Sequence, residues 1–128
     1  MTNPEPTDNV PGADLPENVV EAALRDIGDV PAVELISTMS VHLMSAAAVK
    51  CGLGDELGDD EKDLDEARKL ISALAGLLTA SLPYLGDHHA RPLRDGLKAV
   101  QLAFREASTH PDPIGKGPGE DLTGPVFG

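Results

Sequence analysis

Between Glu61 and Leu82 the chain reads EKDLDEARKLISALAGLLTASL. Leu64, Ala67, Ile71, Leu74, Leu78 and Ser81 recur at spacings of three and four, which is the period of one face of a helix. Leu70 and Leu77 widen that stripe. Ser72, Gly76 and Ala80 form a separate row of small residues spaced by four. Such a row lets another backbone come close, and Ala46 to Ala48 are suited to face it. Asp63, Asp65 and Glu66 stand where carboxylates complement the helix dipole and cap free N–H groups. Pro83 ends the pattern, so a helix is predicted over 61–82.

The same period recurs on both sides, and no stretch reads convincingly as a strand. Residues 31–51 predict a first long helix, with Pro31 in its first turn and Gly52 and Gly54 beyond its end. It is apolar nearly all round, from Val33, Leu35 and Ile36 to Val49, so every side of it needs covering. Residues 92–108 predict a third long helix, opening at Pro92 or as early as His88. Leu93, Leu97, Val100, Phe104 and Ala107 mark its inner face, with Arg94, Lys98, Gln101 and Arg105 as a basic stripe beside it. A short amphipathic helix over 16–27 precedes these, with Val20, Ala23, Leu24 and Ile27 on one face and Gly28 as its cap. The expected architecture is all-α: an antiparallel bundle of three long helices with a short N-terminal helix.

The ends read differently. Residues 1–15 are an acidic arm with almost nothing apolar to bury, and residues 109–128 hold nine Gly or Pro. Both are expected to be disordered, leaving residues 16–108 as the folded domain.

The chain has 128 residues, with 10 Lys+Arg against 22 Asp+Glu and a formal charge of -12. That length leaves no room for separate cofactor and substrate domains. Its acidity, with aromatics at 2%, argues against direct contact with nucleic acid. Cys51 is the only cysteine, so no internal disulfide forms. With no export signal at the N-terminus, a cytoplasmic location is expected. The longest uncharged run, Leu70 to Gly86, contains Gly76 and Pro83 and reads as a buried helix, so no membrane partner is expected.

Few residues offer chemistry. Residues 52–66 carry eight acids against Lys62 alone. A calcium loop starting at Asp59 would place Leu70 at its closing position, which cannot ligate. This segment is read as a solvated, helix-capping connector. His42, His88, His89 and His110 lack zinc-site spacing. His42 is expected to be half-buried with one hydrogen bond, to Ser45 or a connector acid. Cys51, at a helix C-terminus, reads as a small buried hydrophobe rather than a nucleophile. Gly115-Lys116-Gly117-Pro118-Gly119 shares only composition with a phosphate loop.

Several words of the chain taken together resemble an uncharacterised family of small bacterial proteins, the domain of unknown function numbered eighteen forty-four. They are Pro31 to Ser37, Leu43 to Ala48, Asp63 to Arg68, Arg94 to Leu97 and Phe104 to Ser108. Gly117 to Glu120 and Thr123 to Val126 belong with them, so the resemblance spans about residues 31–128. It implies a small helical domain and brings no catalytic residue, cofactor or metal ligand with it.

The function expected from these residues is that of a non-catalytic interaction or adaptor protein acting as a homo-oligomer. Self-association is expected through Ile36, Met39, Leu43 and Ala47 against Ser72, Gly76 and Ala80. An unknown protein partner is expected as well, and Val126 with Phe127 could form a linear docking motif. The alternatives are a ribosome- or RNA-associated accessory factor, using Arg94, Lys98 and Arg105, and a metal-binding protein. No catalytic residue, cofactor or metal ligand is expected.

Overall fold

The computed structural model describes residues 17–54 and 61–127. Among them it contains α-helices and the short 3-10 turn Leu82–Tyr84, with no strand. The helices are α1 (Glu17–Gly28), α2 (Ala32–Lys50), α3 (Leu64–Ser81), α4 (Asp87–Ala107) and α5 (Glu120–Thr123). The expected acidic arm and residues 55–60 of the acidic connector lie outside the described residues. The chain divides into two units, Met1–Ala32 and Val33–Gly128.

In the first unit α1 is amphipathic, yet Val19, Leu24 and Ile27 are exposed. Gly28 is not a left-handed cap: among the described residues only Gly52, Gly115, Gly119 and Gly124 have positive φ. The helix instead frays into hydrogen bonds from Asp29 N–H to the Arg25 and Asp26 carbonyls, at 3.1 and 3.2 Å.

The second unit is built on α3. Its buried residues are Ala67, Ile71, Leu74, Ala75, Leu78 and Ser81. All but Ala75 belong to the spacing pattern read from the sequence. Asp63 caps the helix, its side chain accepting from the Glu66 N–H at 3.2 Å, which satisfies one of the free first-turn donors. The turn Leu82–Tyr84 leads into α4, which packs along α3. Leu93, Leu97, Val100 and Phe104 face the shared core.

Helix α4 opens earlier than its proline suggests. Its N-cap is Gly86, and Pro92 lies inside the helix. The penalty of an internal proline is moderate there, because the carbonyl it leaves unpaired, that of His88, sits in an exposed first turn.

Helix α2 stops as expected at glycine. Gly52 takes φ 91, its N–H reaches the Val49 carbonyl at 2.9 Å, and the Leu53 N–H reaches that of Ala48 at 3.0 Å. This is a Schellman ending, which favours a residue without Cβ. Only Ser40 and Ala47 are buried along α2. Val33, Ile36, Leu43, Met44 and Ala48 pack half-buried against the core.

The largest departure from expectation is the C-terminal segment. Residues 109–127, expected to be disordered, fold back on the core, and α5 packs on α3. Pro118, Gly119, Glu120 and Val126 are buried. Their composition hid this, because glycines that suggest a loose chain here serve specific turns.

Candidate functional site

Two surfaces of the Val33–Gly128 unit hold the residues singled out in the sequence. The first is the outer face of α2. Leu35, Met39 and Val41 are 40%, 45% and 52% exposed, and His42 and Ala46 are exposed beside them. Leu35, Met39, His42 and Ala46 follow one another at spacings of four, three and four, so they form a single seam. The helix is thus turned relative to the expected self-association face. Met39 is shared, but Ile36 and Leu43 point toward the core and Ala47 is fully buried. His42 is exposed and makes no hydrogen bond among the described residues, contrary to the expected half-buried setting.

The small-residue row on α3 is not the site of close helix approach. Ser72 and Ala80 are exposed, and a Cβ added at Gly76 would meet nothing within 4 Å. Close approach between helices and segments occurs instead at Gly96 and Gly119, and Gly117 lies against the Glu120 carboxylate. Gly96 lies directly against the Met44 side chain. At Gly119 an added Cβ would stand 2.8 Å from the Ala75 Cβ and 3.1 Å from Gln101 Nε2.

The second surface lies where the C-terminal segment crosses α4. The expected basic stripe is divided there. Arg105 is committed to the fold, donating from Nη1 to the Asp112 carbonyl at 2.9 Å. Arg68 holds the Asp112 carboxylate at 3.1 Å, and its guanidinium lies 5.0 Å from the centre of the Phe104 ring. Gln101, read as part of the polar stripe, is 3% exposed. Its Nε2 donates to the Pro118 carbonyl at 3.1 Å and to Thr123 Oγ1 at 3.2 Å. Glu120 is also buried, and its Oε1 accepts from the Gly115 N–H at 2.9 Å. Buried polar groups need such partners, so Gln101 and Glu120 act as anchors of the segment.

Arg94 and Lys98 remain exposed and make no ion pair among the described residues. With Gln101 and Thr123 they border a pocket of about 220 Å³ floored by Leu97, Pro125 and Val126. The residues read as one linear motif have separated: Val126 is buried in this wall, whereas Phe127 is 61% exposed.

Among the described residues no three His, Cys, Asp or Glu side chains converge on a point that could hold a metal ion. The rings of His88 and His89 meet edge to face at 5.3 Å. Cys51 is buried, and burial pushes its thiol above the ordinary range while Lys62 opposes the shift. Folding therefore favours the protonated thiol. The resulting stability is present at neutral pH and declines as pH rises past the unfolded thiol value of about 8.5. Alkylation by iodoacetamide should accordingly be slow in the folded chain and fast in guanidinium. The fall in thermal midpoint at alkaline pH should be shallower in Cys51→Ala.

Helix α2 is also long and apolar enough to cross a membrane, by length and composition alone. The uncharged run from Leu70 to Gly86, by contrast, is divided between α3 and the 3-10 turn.

The class defined by this geometry is a small all-helical protein with a paired α3–α4 core, an apolar outer helix and a wrapped C-terminal segment. The chain belongs to the family described as Domain of unknown function (DUF1844), whose model matches residues 32–106. The match ends before the C-terminal segment, so the words at Gly117 to Glu120 and Thr123 to Val126 fall outside it. No curated protein and no solved structure matches the chain.

Proposed function

We propose that this chain is a non-catalytic, cytoplasmic interaction protein that works as a homo-oligomer, with α2 completing an antiparallel three-helix bundle and joining two copies by its outer face. The observation that carries this reading is the exposed seam of Leu35, Met39, His42 and Ala46. In water, large apolar side chains such as Leu35 and Met39 held exposed on one seam are a mark of an interaction surface. Within the chain, antiparallel order is supported by the hydrogen bond from the Asp63 N–H to the Lys50 carbonyl at 2.8 Å, which ties the end of α2 to the start of α3.

A second copy is the occupant best suited to the seam. No Asp, Glu, Lys or Arg occurs from Leu35 to Val49, so pairing two copies there sets no like charges against each other within the seam. Glu34 and Lys50 flank the stripe at equal distances from His42. An antiparallel pairing centred on His42 would set each Glu34 near the other copy's Lys50.

The test is sedimentation equilibrium of the chain and of Met39→Glu. Two carboxylates buried at the seam should weaken association about a hundredfold while leaving the helical spectrum intact. Equal association of both chains would refute the seam. Recovery in the membrane fraction of cells would instead favour α2 as an anchor. The ribosome-associated alternative now rests on Arg94 and Lys98 alone, since Arg105 holds the C-terminal segment.

A further inference from the structure

The pocket between α4 and the C-terminal segment lies apart from the α2 seam and presents three kinds of recognition group together. Arg94 and Lys98 sit one turn apart on α4 and supply two cations. No carboxylate lines the pocket, although the chain as a whole carries -12. Two cations bordering one pocket, with no carboxylate between them, give an anion a favourable local field. The floor of Leu97, Pro125 and Val126 is apolar and closes off one side. Gln101 supplies the third group. Its amide hydrogens are used on Pro118 and Thr123, so its Oε1 is left as an acceptor without a donor among the described residues.

We infer that this pocket binds an acidic peptide segment of a partner protein, taking one apolar side chain onto the Leu97–Pro125–Val126 floor and an adjacent Asp or Glu carboxylate onto Arg94 and Lys98. The volume of about 220 Å³ suits one aliphatic side chain and falls below the roughly 300 Å³ at which sites for whole small molecules begin. A guanidinium matches a carboxylate in a planar, two-pronged contact. A peptide also carries backbone N–H groups that Gln101 Oε1 can accept, which neither a phosphate ion nor a fatty acid offers. A polyanion such as RNA is disfavoured because the rest of the surface repels it.

The pocket exists only because the C-terminal segment is folded. Without Thr123, Pro125 and Val126, the α4 cations would stand on an open helix face. Binding should therefore depend on that segment, and should be indifferent to the α2 seam.

The test is nuclear magnetic resonance titration of the full chain with the blocked tetrapeptide glycyl-leucyl-glutamyl-glycine amide. Saturable shifts are expected at the Gln101 side-chain amide and at the backbone amides of Lys98, Thr123 and Val126. Replacing glutamate by glutamine in the peptide, or leucine by glycine, should each weaken binding about tenfold, as should the double variant Arg94→Gln/Lys98→Gln. Met39→Glu should bind as the parent does, so failure of the seam and failure of the pocket are distinguishable. Absence of saturable shifts, unchanged binding by the double variant, or tighter binding of inorganic phosphate or oligouridylate at the same amides would overturn the inference.

Discussion

Alanine at position 74 should lower the stability of the folded chain by about 2–5 kcal/mol. Leu74 is fully buried on α3, in one cluster with Ile71, Leu78, Leu93 and Leu97. Shortening it removes the transfer energy of three carbons and leaves a cavity that helices on both sides can fill only in part. A domain of this size holds roughly 5–15 kcal/mol in all, so the loss is a large fraction of the total. Thermal denaturation followed by circular dichroism should show the midpoint falling by about 10 °C or more. Leu74→Met, which keeps the volume, should cost less than about 1.5 kcal/mol. A midpoint for Leu74→Ala near the parent value would mean that α3 is not the centre of the core.

Valine at position 119 should release the C-terminal segment. Gly119 has φ +78, and a Cβ there would sit 2.8 Å from the Ala75 Cβ. Both terms oppose the substitution. A side chain in the left-handed region costs about 1–2 kcal/mol, and forcing extra atoms into a packed contact costs about 1–3 kcal/mol. Ala75 has no rotamer by which to withdraw, and Gln101 Nε2 would lose its place at 3.1 Å. The chain can escape by detaching residues 109–127, so the expected readout is local. Trypsin should cut after Lys116 much faster than in the parent, while the α3–α4 core keeps its helical signal. Gly115→Ala is the control, because its φ is +85 but the added Cβ would stand an ordinary 3.7 Å from Pro125 Cγ. Equal cleavage of Gly119→Val and parent would contradict the packing at this glycine.

The behaviour of Gly119 shows why part of the fold was legible in the sequence and part was not. The α3 face was legible because periodicity reports burial directly: Ile71, Leu74 and Leu78 are all buried. The α2 face was not, because the helix is apolar on nearly every side, and periodicity carries no information when every side scores alike. Its orientation is settled by contacts such as Met44 against Gly96, which spacing cannot reveal. Residues 109–127 fold against the expectation from their composition for another reason. Gly and Pro lower local order on average, yet Gly115, Gly119 and Gly124 take left-handed turns that other residues resist. The clue available in the sequence was Gln101, a neutral side chain among the cations of a basic stripe, where a buried anchor can hide.

The same distinction governs the site. Arg94, Lys98 and Arg105 were grouped by their spacing on one helix, but their roles depend on what crosses them. Arg105 is held by Asp112, and the other two border a pocket whose far wall comes from residues more than twenty positions along the chain. Helical spacing identifies residues that share a face. It does not identify which of them another segment will cover.

The central claim is that the apolar seam of α2 is covered by a second copy of the chain. Light scattering on the protein eluting from a size-exclusion column at micromolar concentration tests it most directly. A mass twice the 13.3 kDa of the chain is the predicted result, and a single species of 13.3 kDa would contradict it.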